Sequence, residues 1–282
     1  MKKGLVLEGG AMRGLFSAGV IDVLMENNIE FDGLVGVSAG AAFGCNYKSR
    51  QIGRAARYNI KYCNDPRYCS FWSLVKTGDL FGKDFCYRKL PEELDIFDKK
   101  AFEANPMEFY AVCTDVMTGE PIYKRLDKAD ENCYEWMRAS ASLPLVSTVV
   151  EIEGKKLLDG GISDSIPLEF FEKRGYEKNV VVLTQPRGYV KKKPHLISLI
   201  CFAMRKYPGM AKALARRHKM YNDQKKYVFD KADRGEVFVI CPDEPLEINR
   251  IERNPDKLRE VYELGRKIAE QELERLKEYL NK

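Results

Sequence analysis

The stretch Gly36-Val37-Ser38-Ala39-Gly40 decides the fold, because it joins an apolar run to a helical pattern of small residues that extends to Lys48. It fits G-x-S-x-G, in which a serine occupies a tight turn between strand and helix and small neighbours allow a strained backbone. The turn directs the hydroxyl out of the sheet, and the helix N-terminus offers positive potential to an oxyanion. Ser38 is therefore a candidate nucleophile, although the same residues also suit a close-packed turn without chemistry.

Outside this turn, the first 185 residues alternate short β-rich runs with helical patterns, which predicts an α/β sheet with helices on its faces. The expected strands are Gly4–Glu8, Gly33–Val37, Phe109–Thr114, Asn179–Thr184, a hairpin over Val149–Leu158 that turns at Glu153-Gly154, and a later strand over Glu236–Cys241. The expected helices are Leu15–Asn27, Ala39–Lys48 and one that runs from a cap at Asn254-Pro255 to the C-terminus.

Composition limits the class of protein. The chain has 282 residues, of which 45% are hydrophobic, enough for a full core in one large domain or two small ones. Its apolar runs fall far short of the roughly 20 residues that a membrane span needs, and no signal peptide is apparent. The eight cysteines lack CxxC spacing and lie apart from both histidines, so we expect reduced thiols and no metal site. These features predict a cytoplasmic protein.

A second glycine-rich turn, Gly9-Gly10-Ala11-Met12-Arg13-Gly14, follows the first expected strand. The N–H groups of such a loop bind anions, either a phosphate or the oxyanion of a tetrahedral intermediate. A dinucleotide site is disfavoured, because Ala11 takes the place of the second fingerprint glycine and the second strand is followed by Ser38 where an acidic residue is required.

The general base is better sought among the carboxylates than among the histidines. His195 and His218 both stand among lysines and arginines, which disfavours them as bases. Asp159 ends a predicted strand and precedes Gly160-Gly161. Partial burial would raise its pKa, and a hydrogen bond to Ser38 would let it accept the proton. The alternative is that Asp159 only caps the turn at the two glycines.

Taken in order, the glycine loop, the serine turn and Asp159-Gly160-Gly161 resemble the motifs of the patatin-like phospholipase family. The stretches 139–146 and 162–167 are also similar to that family, and the likeness covers roughly residues 4–185. It implies a three-layer α/β/α sheet with flanking helices. It also implies hydrolysis of lipid esters by a Ser38–Asp159 dyad through an acyl-enzyme, without metal or cofactor.

The resemblance also implies roles for the loop residues. The oxyanion hole would comprise Gly9, Gly10, Ala11 and Ala39, with Arg13 helping to order the loop. The motif glycines are Gly14, Gly36, Gly40, Gly160 and Gly161. The chain departs from the family at Ala11, where a third glycine is usual, and the methyl group there would narrow the hole or force a different backbone angle.

These considerations divide the chain into a catalytic domain, residues 1–185, and a basic helical C-terminal segment, residues 186–282, packed on the core. Between Arg187 and Lys226 twelve Lys or Arg residues accompany one acid, Asp223, with apolar and aromatic residues interleaved. This basic stretch suits peripheral contact with an anionic membrane, or else a solvated helical face whose apolar side covers the sheet. No recognition motif for nucleic acid accompanies it.

Two classes of function remain open at this stage. The first is a serine hydrolase whose substrate is a lipid ester. The second is a non-catalytic module that binds lipids or anions through the glycine loop and the basic face.

Overall fold

Eight strands form one mixed sheet in the computed structural model, which describes all 282 residues. The strands are β1 (Lys2–Leu7), β2 (Gly33–Val37), β3 (Glu108–Asp115), β4 (Pro121–Arg125), β5 (Val150–Ile152), β6 (Lys155–Asp159), β7 (Tyr176–Val182) and β8 (Val237–Ile240). Their order is β5-β6-β3-β2-β1-β7-β8, and β4 pairs with β3. Because β1, β2, β3, β7 and β8 run parallel, the residues that follow β1 and β2 meet at one edge of the sheet.

Helices cover both faces of the sheet. They are α1 (Gly14–Glu26), α2 (Ala39–Lys48), α3 (Arg54–Tyr62), α4 (Phe71–Thr77), α5 (Lys99–Ala104), α6 (Glu131–Ala141), α7 (Leu168–Lys173), α8 (Ile197–Ala203), α9 (Pro208–Asp233) and α10 (Pro255–Asn281). A π-helical segment spans Phe85–Leu94, and single 3-10 turns span Ala11–Arg13 and Gly160–Ile162. None of the helices combines the length and the apolar content that crossing a membrane would require.

The core lies on both sides of the sheet. Leu5 and Leu7 pack with α1, α2 and α10 in the larger core, whereas Val6 packs with α7 and α9 in a second core on the opposite face. Both faces of β1 are therefore covered, which explains its unbroken apolar run. The expected three-layer α/β/α class is confirmed.

Local sequence signals account for most boundaries. Strand β2 and helix α2 begin and end at the expected residues. The hairpin between β5 and β6 turns at Glu153 and Gly154, which both have positive φ as a two-residue I′ turn requires. The Asn254 side chain caps α10 by accepting a hydrogen bond from the Asp256 N–H at 2.9 Å. Strand β4 was not predicted, because its half-buried, partly charged sequence lacks a hydrophobic alternation.

The C-terminal part of the chain completes the same sheet. Strand β8 joins this sheet, as expected, and it does so by pairing in parallel with β7. Helix α10 crosses α1 at two glycines, Gly19 and Gly265. A Cβ on Gly265 would lie 2.1 Å from the carbonyl oxygen of Phe16, so only glycine allows the helices to approach so closely. The division into domains at residue 185 stays a prediction.

Candidate active site

Two strand ends meet on β3. Strand β2 pairs with β3 as far as Val37 opposite Val112, and β6 pairs with it from Asp159 opposite Cys113. Strand β4 already occupies the other edge of β3 at Cys113, so β6 takes the edge where β2 has ended. Since Val112 and Cys113 are neighbours in the chain, Ser38, directly after β2, and Asp159, the last residue of β6, come to the same place.

Ser38 stands in a strained turn that the surrounding structure holds in place. Its φ of 55° and ψ of −120° are uncommon for a residue other than glycine and cost about 1–3 kcal/mol. The Ser38 N–H donates to Ser140 Oγ at 2.9 Å, and that hydroxyl donates to the Val112 carbonyl at 2.7 Å. The Ser38 carbonyl accepts hydrogen bonds from the N–H groups of Ala41 and Ala42 at the start of α2. The backbone is therefore bonded on both sides of the Ser38 side chain.

Asp159 is buried, with 2% of its surface exposed. Its Oδ1 accepts a hydrogen bond from the Gly161 N–H at 2.8 Å, whereas Oδ2 has no partner. Burial raises the pKa of Asp159, and the nearby Arg217 guanidinium and the Ser38 hydroxyl oppose that rise. The Ser38 hydroxyl is thus close to the carboxylate without a hydrogen bond of normal length and angle to it. Catalytic hydrogen bonds are often long or poorly aligned in a free enzyme and shorten when the substrate binds.

The glycine loop lies against Ser38. A Cβ on Gly9 would lie 2.8 Å from the Val37 carbonyl oxygen and 2.9 Å from Ser38 Cβ, so the approach depends on the missing side chain. The N–H groups of Gly10 and Ala11 donate no hydrogen bond within the protein, and neither does that of Ala39. Unbonded N–H groups beside a nucleophile can stabilise an oxyanion.

Ala11 adopts a backbone conformation that glycine would take without cost. Its φ is 50°, in the left-handed region, which costs an L-residue roughly 1–2 kcal/mol. Ala11 also lines each of the two cavities that open beside Ser38. The methyl group has therefore not forced the backbone out of the left-handed region that glycine favours, and Ala11 bears the strain of that conformation.

The other residues expected at the site lie around the same turn. Arg13 bonds to the loop through its backbone N–H, which donates to the Gly10 carbonyl at 3.1 Å, whereas its Nε is buried without a partner. A Cβ would collide with neighbouring atoms, at less than 3.0 Å, at the motif glycines Gly14, Gly36, Gly40 and Gly160. Neither His195 nor His218 lines a cavity at Ser38.

An apolar pocket opens on one side of Ser38. Hydrophobic residues make up 17 of the 21 that line it. Most of them come from α2, α3, the π-helical segment and α6, and they include Ala42, Phe43, Tyr58, Leu90, Tyr134 and Met137. Such a lining suits an apolar ligand group.

A polar cavity opens on the other side of Ser38, and we call it the cationic cavity. Its basic residues are Arg13, Lys191, Arg217 and Arg250, and the carboxylates of Glu8 and Asp159 also line it. The Arg217 Nε donates to the Gly161 carbonyl at 2.7 Å, which anchors this guanidinium beside Asp159. The two cavities share Ala11, Ser38 and Leu143, so Ser38 lies where they join.

Several residues of this site could not be identified from the sequence, among them Ser140, Arg217 and the cavity residues Glu8, Lys191 and Arg250. Ser140 was noted only as part of a family-like stretch, although a small polar residue at the end of α6 is a signal for a backbone contact. Arg217 was grouped with the solvated basic residues, because nothing in its local sequence separates it from Arg216, which is exposed.

Comparison with known proteins places these features in a family context. The sequence model of the patatin-like phospholipase family matches residues 5–171. The model of a domain of unknown function, DUF6363, matches residues 207–281.

Individual relatives cover different shares of the chain. The uncharacterized protein YjjU of Escherichia coli K12 is 29% identical over 278 residues, which are 93% of this chain and 74% of that protein. The uncharacterized NTE family protein Rv1063c of Mycobacterium tuberculosis is 29% identical over 58% of this chain and 44% of its own length. Lysophospholipase nte1 of Aspergillus fumigatus is 28% identical over 61% of this chain but 11% of its own length.

A similar solved structure is that of VipD from Legionella pneumophila. It has 13% sequence identity and a TM-score of 0.49, with coverage of 97% of this chain and 67% of VipD.

Replacing Ser140 by alanine tests how the strained turn is held. In Ser140→Ala the Ser38 N–H and the Val112 carbonyl lose their buried partner, so we expect the free energy of unfolding to fall by about 1–3 kcal/mol. Chemical denaturation measures this change. The matched control is Ser17→Ala, because the Ser17 hydroxyl is equally buried but has no partner. Equal losses in the two variants would contradict the role given to Ser140.

Proposed function

Because this chain belongs to the patatin-like phospholipase family, we propose that it hydrolyses carboxylic esters of lipids, with Ser38 as nucleophile and Asp159 as general base. Membership of this family supports lipid hydrolase activity in general, without specifying the substrate. The lysophospholipase name of the fungal relative supports a lipid with a single acyl chain. The dyad and the choice of substrate belong to the proposal.

One observation carries it. Ser38 shares a cavity with Gly10 and Ala11, whose N–H groups are unbonded, and with buried Asp159, whose Oδ2 has no partner; it also lines an apolar pocket. A turn that served packing alone would need neither free donors nor a free carboxylate oxygen beside the hydroxyl. Leaving a buried polar atom such as Asp159 Oδ2 without a partner is costly.

The first half of the reaction acylates the serine. Ser38 Oγ attacks the carbonyl carbon of the ester while its proton passes to Asp159. The N–H groups of Gly10, Ala11 and Ala39 stabilise the negative oxygen of the tetrahedral intermediate. The bond between the carbonyl carbon and the leaving oxygen then breaks, and the leaving alcohol takes the proton from Asp159.

The second half releases the acyl group. Water attacks the acyl-enzyme as Asp159 takes one of its protons, and collapse of the intermediate returns that proton to Ser38 Oγ and frees the carboxylic acid. Burial suits Asp159 to this role, because a raised pKa makes the carboxylate a stronger base, while the charge of Arg217 opposes that rise.

The basic segment supports a further part of the proposal, contact with an anionic membrane. On α8 and the residue before it, Leu196, Leu199 and Phe202 are 65%, 63% and 62% exposed. Lysines and arginines flank them at 192, 193, 205 and 206. Exposed apolar side chains between cations suit the interface of a bilayer that carries anionic lipids. Helix α9, in contrast, buries Tyr221 and Val228 against the sheet, so only part of the basic stretch is free for such contact.

Labelling with a fluorophosphonate probe tests the nucleophile. We expect one adduct on Ser38 in the wild type and none in Ser38→Ala. Asp159→Asn should lower ester hydrolysis by a factor of about 10²–10⁴, because it removes the general base. Mass mapping locates the adduct, and circular dichroism verifies that both variants fold. A folded wild type without an adduct would favour the non-catalytic lipid-binding or anion-binding module, and full activity in Asp159→Asn would exclude the dyad.

The pH dependence of hydrolysis tests the environment of Asp159. For a neutral short-chain ester, kcat/KM should rise with pH as Asp159 loses its proton, at a pH above the ordinary carboxyl pKa because burial raises this pKa. Arg217→Gln removes the charge that lowers the pKa, so the rise should move to higher pH. Arg217→Lys keeps that charge and is the control, with a profile close to that of the wild type. Identical profiles for all three proteins would refute the coupling.

Vesicle binding tests the membrane contact. Leu199→Ser/Phe202→Ser should bind vesicles of anionic phospholipid at least about tenfold more weakly, because two exposed apolar side chains no longer enter the interface. Co-sedimentation with vesicles measures the affinity. Ile52→Ser/Ile96→Ser is the control, since these isoleucines are also exposed but lie outside the basic segment. Wild-type affinity in the first variant would remove α8 from the contact.

A further inference from the structure

The cationic cavity brings together charges from four separate parts of the chain. Arg13 comes from the glycine loop, Lys191 from the segment after β7, Arg217 from α9 and Arg250 from the loop before α10. None of these four side chains forms a salt bridge within 4.0 Å of a carboxylate. The protein therefore concentrates an excess of positive charge beside its candidate nucleophile without pairing any of these cations in a salt bridge.

Keeping these cations together is unfavourable in the absence of an anion. Burial and the neighbouring Arg217 lower the pKa of Lys191 to about 7, and burial also lowers the pKa of Arg217. Glu8 supplies one compensating charge, but its carboxylate accepts hydrogen bonds from the Tyr221 hydroxyl at 2.7 Å and the Thr184 N–H at 2.6 Å rather than from any of the four cations. A bound anion would offset this cost.

Two of the cations, Arg217 and Lys191, are fixed by contacts that leave hydrogen-bond donors free. The bond from Arg217 Nε to Gly161 leaves both terminal guanidinium nitrogens without a protein acceptor. Lys191 Nζ lies 4.1 Å from the centre of the Tyr221 ring, and the Lys191 backbone exchanges two hydrogen bonds with the Asn222 side chain. A guanidinium group can donate two parallel hydrogen bonds to the oxygens of one phosphate, and a lysine ammonium adds a compact positive charge. This set of donors therefore suits a phosphate.

The charge of the cavity also matches a phosphate monoester. With all groups ionised, the four cations and the two carboxylates of Glu8 and Asp159 leave a net charge of +2. A phosphate monoester carries a charge of about −1.5 to −2 at neutral pH. Only 3 of the 14 lining residues are hydrophobic, so the cavity offers little apolar wall to a second acyl chain.

We propose that the cationic cavity binds a phosphate on the leaving alcohol while the apolar pocket binds the acyl chain, so that the preferred substrate is a single-chain acyl ester with a phosphate near the ester bond. Ser38 lies at the junction of the two cavities, where that ester would be placed. This inference rests on the proposed ester hydrolysis at Ser38, and it adds a phosphate-binding site that determines substrate preference.

Two substrates that differ only in the phosphate test the proposal. They are 1-decanoylglycerol 3-phosphate and 1-decanoylglycerol, each used below the concentration at which it forms micelles. We expect kcat/KM of the wild type to favour the phosphate-bearing ester at least about tenfold, mainly through a lower KM. Lys191→Gln/Arg250→Gln should reduce this preference at least about tenfold. These two positions are chosen because Arg217 lowers the pKa of Asp159 more strongly than Arg250 does, and Lys191 is not among the groups that shift it.

A charge-matched control accompanies the variant. Lys257→Gln/Lys267→Gln removes two exposed lysines of α10 that lie outside both cavities, and it should keep the wild-type preference. Competition in the wild type adds a measurement that needs no variant. Glycerol 3-phosphate should inhibit hydrolysis of the neutral ester competitively, whereas glycerol should not.

The outcomes separate the inference from the proposed function. Hydrolysis of both esters at equal efficiency would overturn the phosphate site and leave ester hydrolysis intact. Loss of the preference to the same extent in the control variant would also overturn it. If inorganic phosphate changes hydrolysis of the neutral ester but the phosphate-bearing ester is not preferred, the cavity binds a free ion rather than the substrate, and the inference fails. Absence of hydrolysis and of labelling at Ser38 would remove the proposed function itself.

Discussion

The register of β3 is the constraint on which the candidate site depends. One edge of this strand pairs first with β2 and then with β6, so that Val112 and Cys113 bring Ser38 and Asp159 together from positions 121 residues apart in the sequence. A slip of one residue in either pairing would turn one of these side chains to the opposite face of the sheet. The hydrogen bond of Ser140 to the Val112 carbonyl ties the serine turn to the same point of β3.

Electrostatics then distinguishes the two sides of Ser38. On one side, aromatic and aliphatic residues line an apolar pocket, while on the other side four cations and two carboxylates line the cationic cavity. Asp159 is subject to two opposing influences, because burial raises its pKa and the charge of Arg217 lowers it. An amphiphilic molecule suits such a boundary better than a uniformly polar or uniformly apolar one, because each part of it meets a matching environment.

The C-terminal part of the chain has a larger share in the site than its sequence indicates. Lys191, Arg217 and Arg250 all follow residue 186, yet they line a cavity with the glycine loop and the serine turn. Helix α9 turns Tyr221 and Arg217 toward this cavity and leaves Arg216 in solvent. Of the twelve cations in the basic stretch, Lys191 and Arg217 line the cationic cavity, whereas Arg216 is exposed, and the sequence pattern alone does not tell the two groups apart.

The sequence by itself determined the fold class, the strand and helix around Ser38, the hairpin turn at Glu153-Gly154 and the family, because glycine patterns, apolar alternation and caps are local features that act through the nearest residues. The tertiary structure alone decided which side chains share a cavity. Ser140 meets Ser38 across 102 residues, and Arg217 meets Gly161 across 56. Such contacts depend on strand register and on which face of a helix is buried, and these are settled only when the whole sheet and both of its cores pack together.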